Sequence, residues 1–156
     1  MAQAMTLIAS TTLIASGNPT FSSIPSTYRD LRLVVTGTGS GSNFFNFFNA
    51  DSTLTNYSYT YVKSDGTTTS SAGAINTAPI IGTIDTGVSV YTVDILDYSA
   101  TDKHKMFIAR TGGAGLASIL GIVRWANTAA ITTVAPVAYS NAWGAGTTFY
   151  LYGISA

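Results

Sequence analysis

His104 is the single histidine of the chain, and it stands in Asp102-Lys103-His104-Lys105 with Asp94 and Asp97 upstream. An imidazole oriented by a carboxylate is the pair that general-base catalysis uses, provided a nucleophile lies within hydrogen-bond reach. No Gly-x-Ser-x-Gly elbow supplies one. A histidine between two lysines at the start of a strand reads as an exposed polar residue, so no catalytic residue is assigned. Asn49, Asp51 and Thr53 alternate in a turn, as the first oxygen ligands of a calcium loop do, but the closing glutamate and its spacing are missing. An Asx turn accounts for the same residues. Gly37-Thr38-Gly39-Ser40-Gly41 has no lysine and leads into a strand, whereas a phosphate cradle needs a helix N-terminus there. Asn56-Tyr57-Ser58 matches a glycosylation acceptor, a pattern that chance supplies often. No metal and no cofactor is assigned.

The aromatic residues are the serious candidates. Tyr57, Tyr59, Tyr61, Trp125 and Trp143 could stack sugars, but a sandwich core and a subunit interface are enriched in the same rings, and that reading is preferred. In an extended chain, successive side chains alternate between faces. Asn43, Phe45, Phe47 and Asn49 therefore share one face, and Phe44, Asn46 and Phe48 the other. Both faces ask for burial, yet a two-layer sandwich covers one face of each sheet. A neighbouring subunit, or the segment Thr67 to Gly87 folded over, must cover the second. The expectation is that Phe45 and Phe47 lie in the core, with Phe44, Phe48, Tyr57, Tyr59 and Tyr61 as subunit-interface candidates. The Phe run and the Tyr run read as two strands joined by the polar turn Ala50 to Thr55, at the centre of the sandwich.

Composition decides the class of fold that must position these residues. The chain has 156 residues, one domain by size. It has no cysteine, so disulfide and thiolate chemistry are excluded. All seven acidic residues are Asp, and they balance seven Lys plus Arg. A chain without Glu and rich in Thr, Ser, Gly, Tyr and Val is poor in helix formers and suited to strands and turns. Charged residues are 9% of the chain, far below the usual share of about 25%. The surface is therefore weakly protected against self-association. No basic stripe marks a nucleic-acid or membrane partner. Met1 to Ser16 lacks the positive start of a secretion signal, and Ser10-Thr11-Thr12 interrupts its apolar run.

Alternation places strands near Met5–Ile14, Tyr28–Val35, Asn43–Phe48, Asn56–Lys63, Val88–Leu96, Lys103–Ala109, Ile119–Ala126, Ala130–Val134 and Thr148–Ile154. Turn residues separate them: Gly17-Asn18-Pro19, Gly37 to Ser42, Ser64-Asp65-Gly66 and Thr111-Gly112-Gly113. Thr67 to Gly87 shows no sustained period and is expected to be irregular. Short strands at this spacing predict an all-β, antiparallel β-sandwich of jelly-roll type. Residues 1–20 are expected to form an N-terminal arm or first strand, and residues 21–156 the sandwich.

Several short motifs then fall into order: Ile24-Pro25 with Tyr28 and Asp30-Leu31, Phe48-Asn49-Ala50-Asp51 with Asn56-Tyr57-Ser58, Asp97-Tyr98, Trp125, and Leu151-Tyr152-Gly153-Ile154. In that order and spacing the chain resembles a family of short tailed-bacteriophage virion proteins. The resemblance implies a β-sandwich without catalytic residues. It implies a capsid decoration (cement) protein, homotrimeric, on the outer surface of the phage head, bridging capsomers and bound to the major capsid protein. Met5, Leu7 and Ile8 are then the capsid-contact candidates, reaching the shell as an added strand. The alternative class is a tail-fibre or receptor-binding module that recognises a host surface glycan.

Overall fold

Asp30–Gly37 shows how this sequence makes its fold. Leu31, Leu33 and Val35 point inward and are fully buried, while Arg32, Val34 and Thr36 point outward. The same two-residue period recurs in strand after strand of the computed structural model. The structure describes residues 4–39, 43–84, 86–113, 118–139 and 142–155. Residues 40–42 of the expected Gly/Ser turn and residues 1–3 of the N-terminal segment lie outside that set.

Among the described residues the strands are β1 Met5–Thr12, β2 Asp30–Gly37, β3 Asn43–Phe48, β4 Tyr57–Ser64, β5 Thr69–Ile75 and β6 Gly82–Thr83. They continue as β7 Ser89–Leu96, β8 Lys105–Gly113, β9 Ser118–Trp125, β10 Val134–Ala138 and β11 Thr148–Ile154. Among the described residues the helical content is one 3-10 turn, Leu54–Asn56. Eight strands form a large antiparallel sheet in the order β1-β11-β2-β7-β8-β9-β4-β5, and three form a small one, β10-β3-β6. The chain is an all-β antiparallel sandwich, as its strand spacing predicts, with layers of unequal width.

The small sheet covers the middle of the large sheet through β3. Phe44 packs edge-on against Trp143 and Tyr91, with ring centroids 5.1 and 5.6 Å away. Trp143 in turn meets Phe149 of β11 at 5.4 Å. Four residues along β3, Phe48 meets Phe107 of β8 at 5.0 Å and Trp125 of β9 at 5.6 Å. Two rings on one strand thus anchor two aromatic clusters and lock the layers together. Edge-to-face pairs of this kind add about 0.5–1.5 kcal/mol each beyond area burial.

Several expectations need correction. The Phe and Tyr runs are not a hairpin: β3 belongs to the small sheet and β4 to the large one. Asn49 and Ala50, both in the left-handed region (φ 51° and 55°), form a tight turn closed by the Asp51 N–H on the Phe48 carbonyl at 2.8 Å, after which the chain crosses to the large sheet. Thr67 to Gly87 is not irregular throughout, since it contains β5 and β6. Nearly every side chain of β5 is exposed, so no inside-outside alternation marked it. The strand expected at Ala130–Val134 begins at Val134 instead. It carries Pro136 at the edge of the small sheet, where a missing N–H is tolerated. At the start of the chain, β1 pairs with β11 from Met5↔Ile154 to Thr12↔Thr148, with a bulge between Leu7 and Ala9.

Candidate functional site

The motif residues come together at one end of the sandwich. Asp51, just past β3, accepts hydrogen bonds from Trp125 Nε1 at 2.7 Å and Asn56 Nδ2 at 2.8 Å through Oδ2, and from the Thr53 N–H at 3.0 Å through Oδ1. Burial pushes the Asp51 carboxyl up, but these donors together outweigh it and hold the group below its usual range. The Tyr57 hydroxyl donates to the Asp51 carbonyl at 2.9 Å, and burial drives its pKa upward. Asn49 Oδ1 accepts from the Thr132 and Thr133 N–H groups, and its Nδ2 donates to the Ala130 carbonyl. The oxygens that resembled calcium ligands thus point at the chain's own donors.

Nearby, the Tyr98 hydroxyl donates to the Pro25 carbonyl, and Asp30 Oδ1 accepts from the Asp97 N–H at 2.9 Å. The Tyr28 ring covers Gly153 so closely that a Cβ there would stand 2.3 Å from it. These motifs are pins that join chain crossings. Physical chemistry explains them without a ligand.

The catalytic candidates are not assembled. His104 is exposed, and no described carboxylate is paired with it. Asp97 is taken by Lys103 at 3.1 Å. Asp94 is held by Arg32 Nε at 2.6 Å and by Arg110. Among the described residues no three His, Cys, Asp or Glu side chains are grouped as a metal set.

The subunit-interface candidates divide. Phe44, Phe48 and Tyr57 are buried by the chain itself, so they offer no surface to a partner. The two faces of β3 are opposite to expectation, with Phe44 and Phe48 toward the large sheet. Phe45 is 1% exposed in the single chain, packed by Tyr139 and Phe47, while Phe47 on the same face is half-buried. Tyr59 and Tyr61 remain half-buried, stacked 5.8 Å apart with their rings nearly parallel. Of the capsid-contact candidates, Met5 and Leu7 are exposed on the outward side of β1, while Ile8 packs partly against the core at the bulge.

Sequence reasoning missed the outward face of the large sheet. The small sheet covers one side only. Strand register puts Leu7, Tyr152, Arg32, Asp94, Ile108, Ile122, Thr60 and Gly73 in one row across that face. Ser10, Tyr150, Val34, Thr92, Arg110, Leu120, Val62 and Ser71 form the next. Met5, Leu7, Val62, Ile75, Val90, Met106, Leu120 and Ile122 are all exposed here. The other exposed large apolar side chains among the described residues are Ile14, Leu54, Val88 and Tyr139, of which Val88 borders the face beside Thr36 and Tyr150. Arg32 and Asp94 separate Leu7 and Tyr152 from Ile108 and Ile122 in the first row. The exposed apolar side chains that adjoin one another are therefore Val62, Leu120 and Ile122, and such a cluster is a candidate interaction surface.

A signal for this face lies in β9. Ile119-Leu120-Gly121-Ile122-Val123 is apolar at both parities, whereas a half-solvated antiparallel strand alternates. Shallow grooves run over the face. One of about 560 Å³ lies by Thr60, Gly73, Ile75, Ile122 and Arg124, and another of about 430 Å³ by Met5, Arg32, Asp94 and Ile108. Arg32, Arg110 and Arg124 against Asp94, with Asp30 paired to Arg29 beside them, leave the face slightly positive. The Asp94 hydrogen bond raises the Arg32 guanidinium above its usual range despite burial, so that charge is fixed.

The fold is a β-sandwich whose large sheet keeps one face uncovered by the small sheet. No family model and no curated protein matches the chain.

Proposed function

We propose that the protein is a non-enzymatic virion protein, a decoration (cement) protein that lays its large sheet on the outside of an assembled phage head. The observation that carries the docking part is the uncovered outward face of the large sheet, with its exposed apolar cluster at Val62, Leu120 and Ile122. The virion part rests on the order and spacing of the sequence motifs, which resemble those of short tailed-phage virion proteins. The partner on this reading is the major capsid protein.

The physical route is mass action. A protein that binds the assembled lattice but not its separated subunits stabilises the lattice. Several copies bridging neighbouring capsomers add avidity without one strong contact. Apolar contact dominates over charge, so attachment persists in salt that would screen an ion-pair clamp. Met5 and Leu7, exposed on the edge strand beside the face, extend the contact.

A second reading has an observation of its own. Tyr150 and Tyr152 present half-buried rings on the same face, 6.3 Å apart and close to parallel. A tail-fibre module that binds a glycan would stack sugars there. Protein quantitation in purified virions separates the two. Hundreds of copies per particle support decoration; a few to a few dozen move the protein to the tail.

A further inference from the structure

We propose that the free edge of β5 pairs with β5 of a second copy, antiparallel about a two-fold axis at Ala72, which joins two large sheets into one. This goes beyond the docking reading and does not depend on it. β5 is the last strand of the large sheet. Exposed edges are normally blunted by charge, proline or a bulge. The opposite edge, β1, has its bulge at Leu7–Ala9, and β10 has Pro136. β5 reads Thr-Ser-Ser-Ala-Gly-Ala-Ile, without any of these devices.

The edge is held ready. β5 pairs with β4 at seven registered positions, from Ser58↔Ile75 to Ser64↔Thr69. Asp65 Oδ1 pins the intervening turn, accepting from the Thr67 N–H at 2.9 Å, the Thr68 N–H at 2.7 Å and the Thr67 hydroxyl at 2.8 Å. A hairpin fixed in this way loses little freedom when a strand is added, which is how strand addition gains affinity from main-chain hydrogen bonds.

A two-fold axis at Ala72 uses the whole strand. It sets Ile75 opposite Thr69 of the second copy, Ala74 opposite Ser70, Gly73 opposite Ser71, and Ala72 opposite itself. Every pair is uncharged, and the two Asp65 turns fall at opposite ends. On β4, Tyr59 is registered with Ala74 and Tyr61 with Ala72. The small side chains leave room for the stacked tyrosines of both copies to close over the seam. Tyr59 and Tyr61 thereby take the subunit-contact role expected for them. The pairing consumes the β5 edge of both chains, so it closes as a dimer.

Ala72 facing itself makes the test specific. Light scattering at micromolar concentration is expected to give twice the 16.2 kDa chain mass. Ala72→Lys and Ala72→Asp are each expected to be monomeric, and their equimolar mixture to recover the dimer. A monomeric wild type, a trimer mass, or dimers persisting in both variants would overturn the pairing. The chain has no cysteine, so Ala72→Cys gives a second measurement that needs no loss of folding. Directly opposed strand residues lie about 4.5–5.5 Å apart at Cα, within disulfide range. Rapid oxidation to a covalent dimer is expected for Ala72→Cys and not for Thr67→Cys in the turn. Equal slow oxidation of both would count against the seam.

Discussion

The Trp125 indole donates to the Asp51 carboxylate at 2.7 Å and so ties the end of β9 in the large sheet to the crossing that leaves β3 in the small one. Trp125 is fully buried, and removing the carboxylate leaves its N–H without a charged acceptor. Hydrogen bonds to charged groups are worth roughly 1.5–3 kcal/mol. Asp51→Ala is therefore expected to lower unfolding stability by about that amount, measured by urea denaturation at neutral pH.

The same carboxylate sets a pH dependence. Its folded pKa is depressed below the unfolded value of about 3.9. Its contribution is therefore complete above that value and disappears as pH falls through the folded pKa. Stability of the wild type is expected to fall more steeply below about pH 4 than that of Asp51→Asn. Parallel curves for the two proteins would show that Asp51 is not a source of the acid sensitivity. Asp65, held at about 2 by its turn hydrogen bonds, titrates in both proteins and cancels from the comparison.

Phe44 and Phe48 test the layer packing. Truncating either to alanine removes a ring that joins the two sheets, at a cost of about 3–5 kcal/mol. Phe47→Ala is expected to cost less, because its ring is only half-buried. Chemical denaturation of the three variants gives the order directly. A larger loss for Phe47→Ala would reverse the facing of β3.

Much of the fold was legible because most strands have one wet and one dry face. Leu31, Leu33 and Val35 against Arg32 and Thr36 tell which side of β2 is core from residue type alone. The rest was hidden for two physical reasons. β5 is exposed on both faces, so its small residues carry no period. The Phe strand carries aromatic rings on both faces, so period could not say which of them meet the large sheet. The open face was obscured in the same way, since Leu120 and Ile122 look like core. Tyr57, placed at an interface by its aromatic company, instead satisfies its hydroxyl inside the chain through Asp51 and Phe48. Sequence spacing cannot show that pairing.

Asn46 lies between Phe44 and Phe48 on the buried face of β3, and its side-chain amide has no hydrogen-bond partner among the described residues. A buried, unpaired polar group costs about 1–3 kcal/mol. Asn46→Leu, similar in size, is expected to raise the urea midpoint without changing the slope. A lower midpoint would show that the amide is satisfied or that the site has no room for the branched side chain.

Leu120 and Ile122 test the open face without touching the core. Both are about half exposed (51% and 47%), on the outward side of β9. Surface replacements of this kind usually change stability by no more than about 0.5 kcal/mol. The double variant Leu120→Lys, Ile122→Lys is therefore expected to unfold close to the wild type. Its consequences for docking are different. Two ammonium groups in the middle of an apolar contact must be desolvated without partners, and a face already carrying Arg110 and Arg124 becomes still more positive. Occupancy of the variant on phage heads is expected to fall at least tenfold, and binding of a hydrophobic dye to the free protein to fall with it. Loss of dye binding with unchanged head occupancy would leave the face apolar and exposed, but would move the shell contact elsewhere on the molecule.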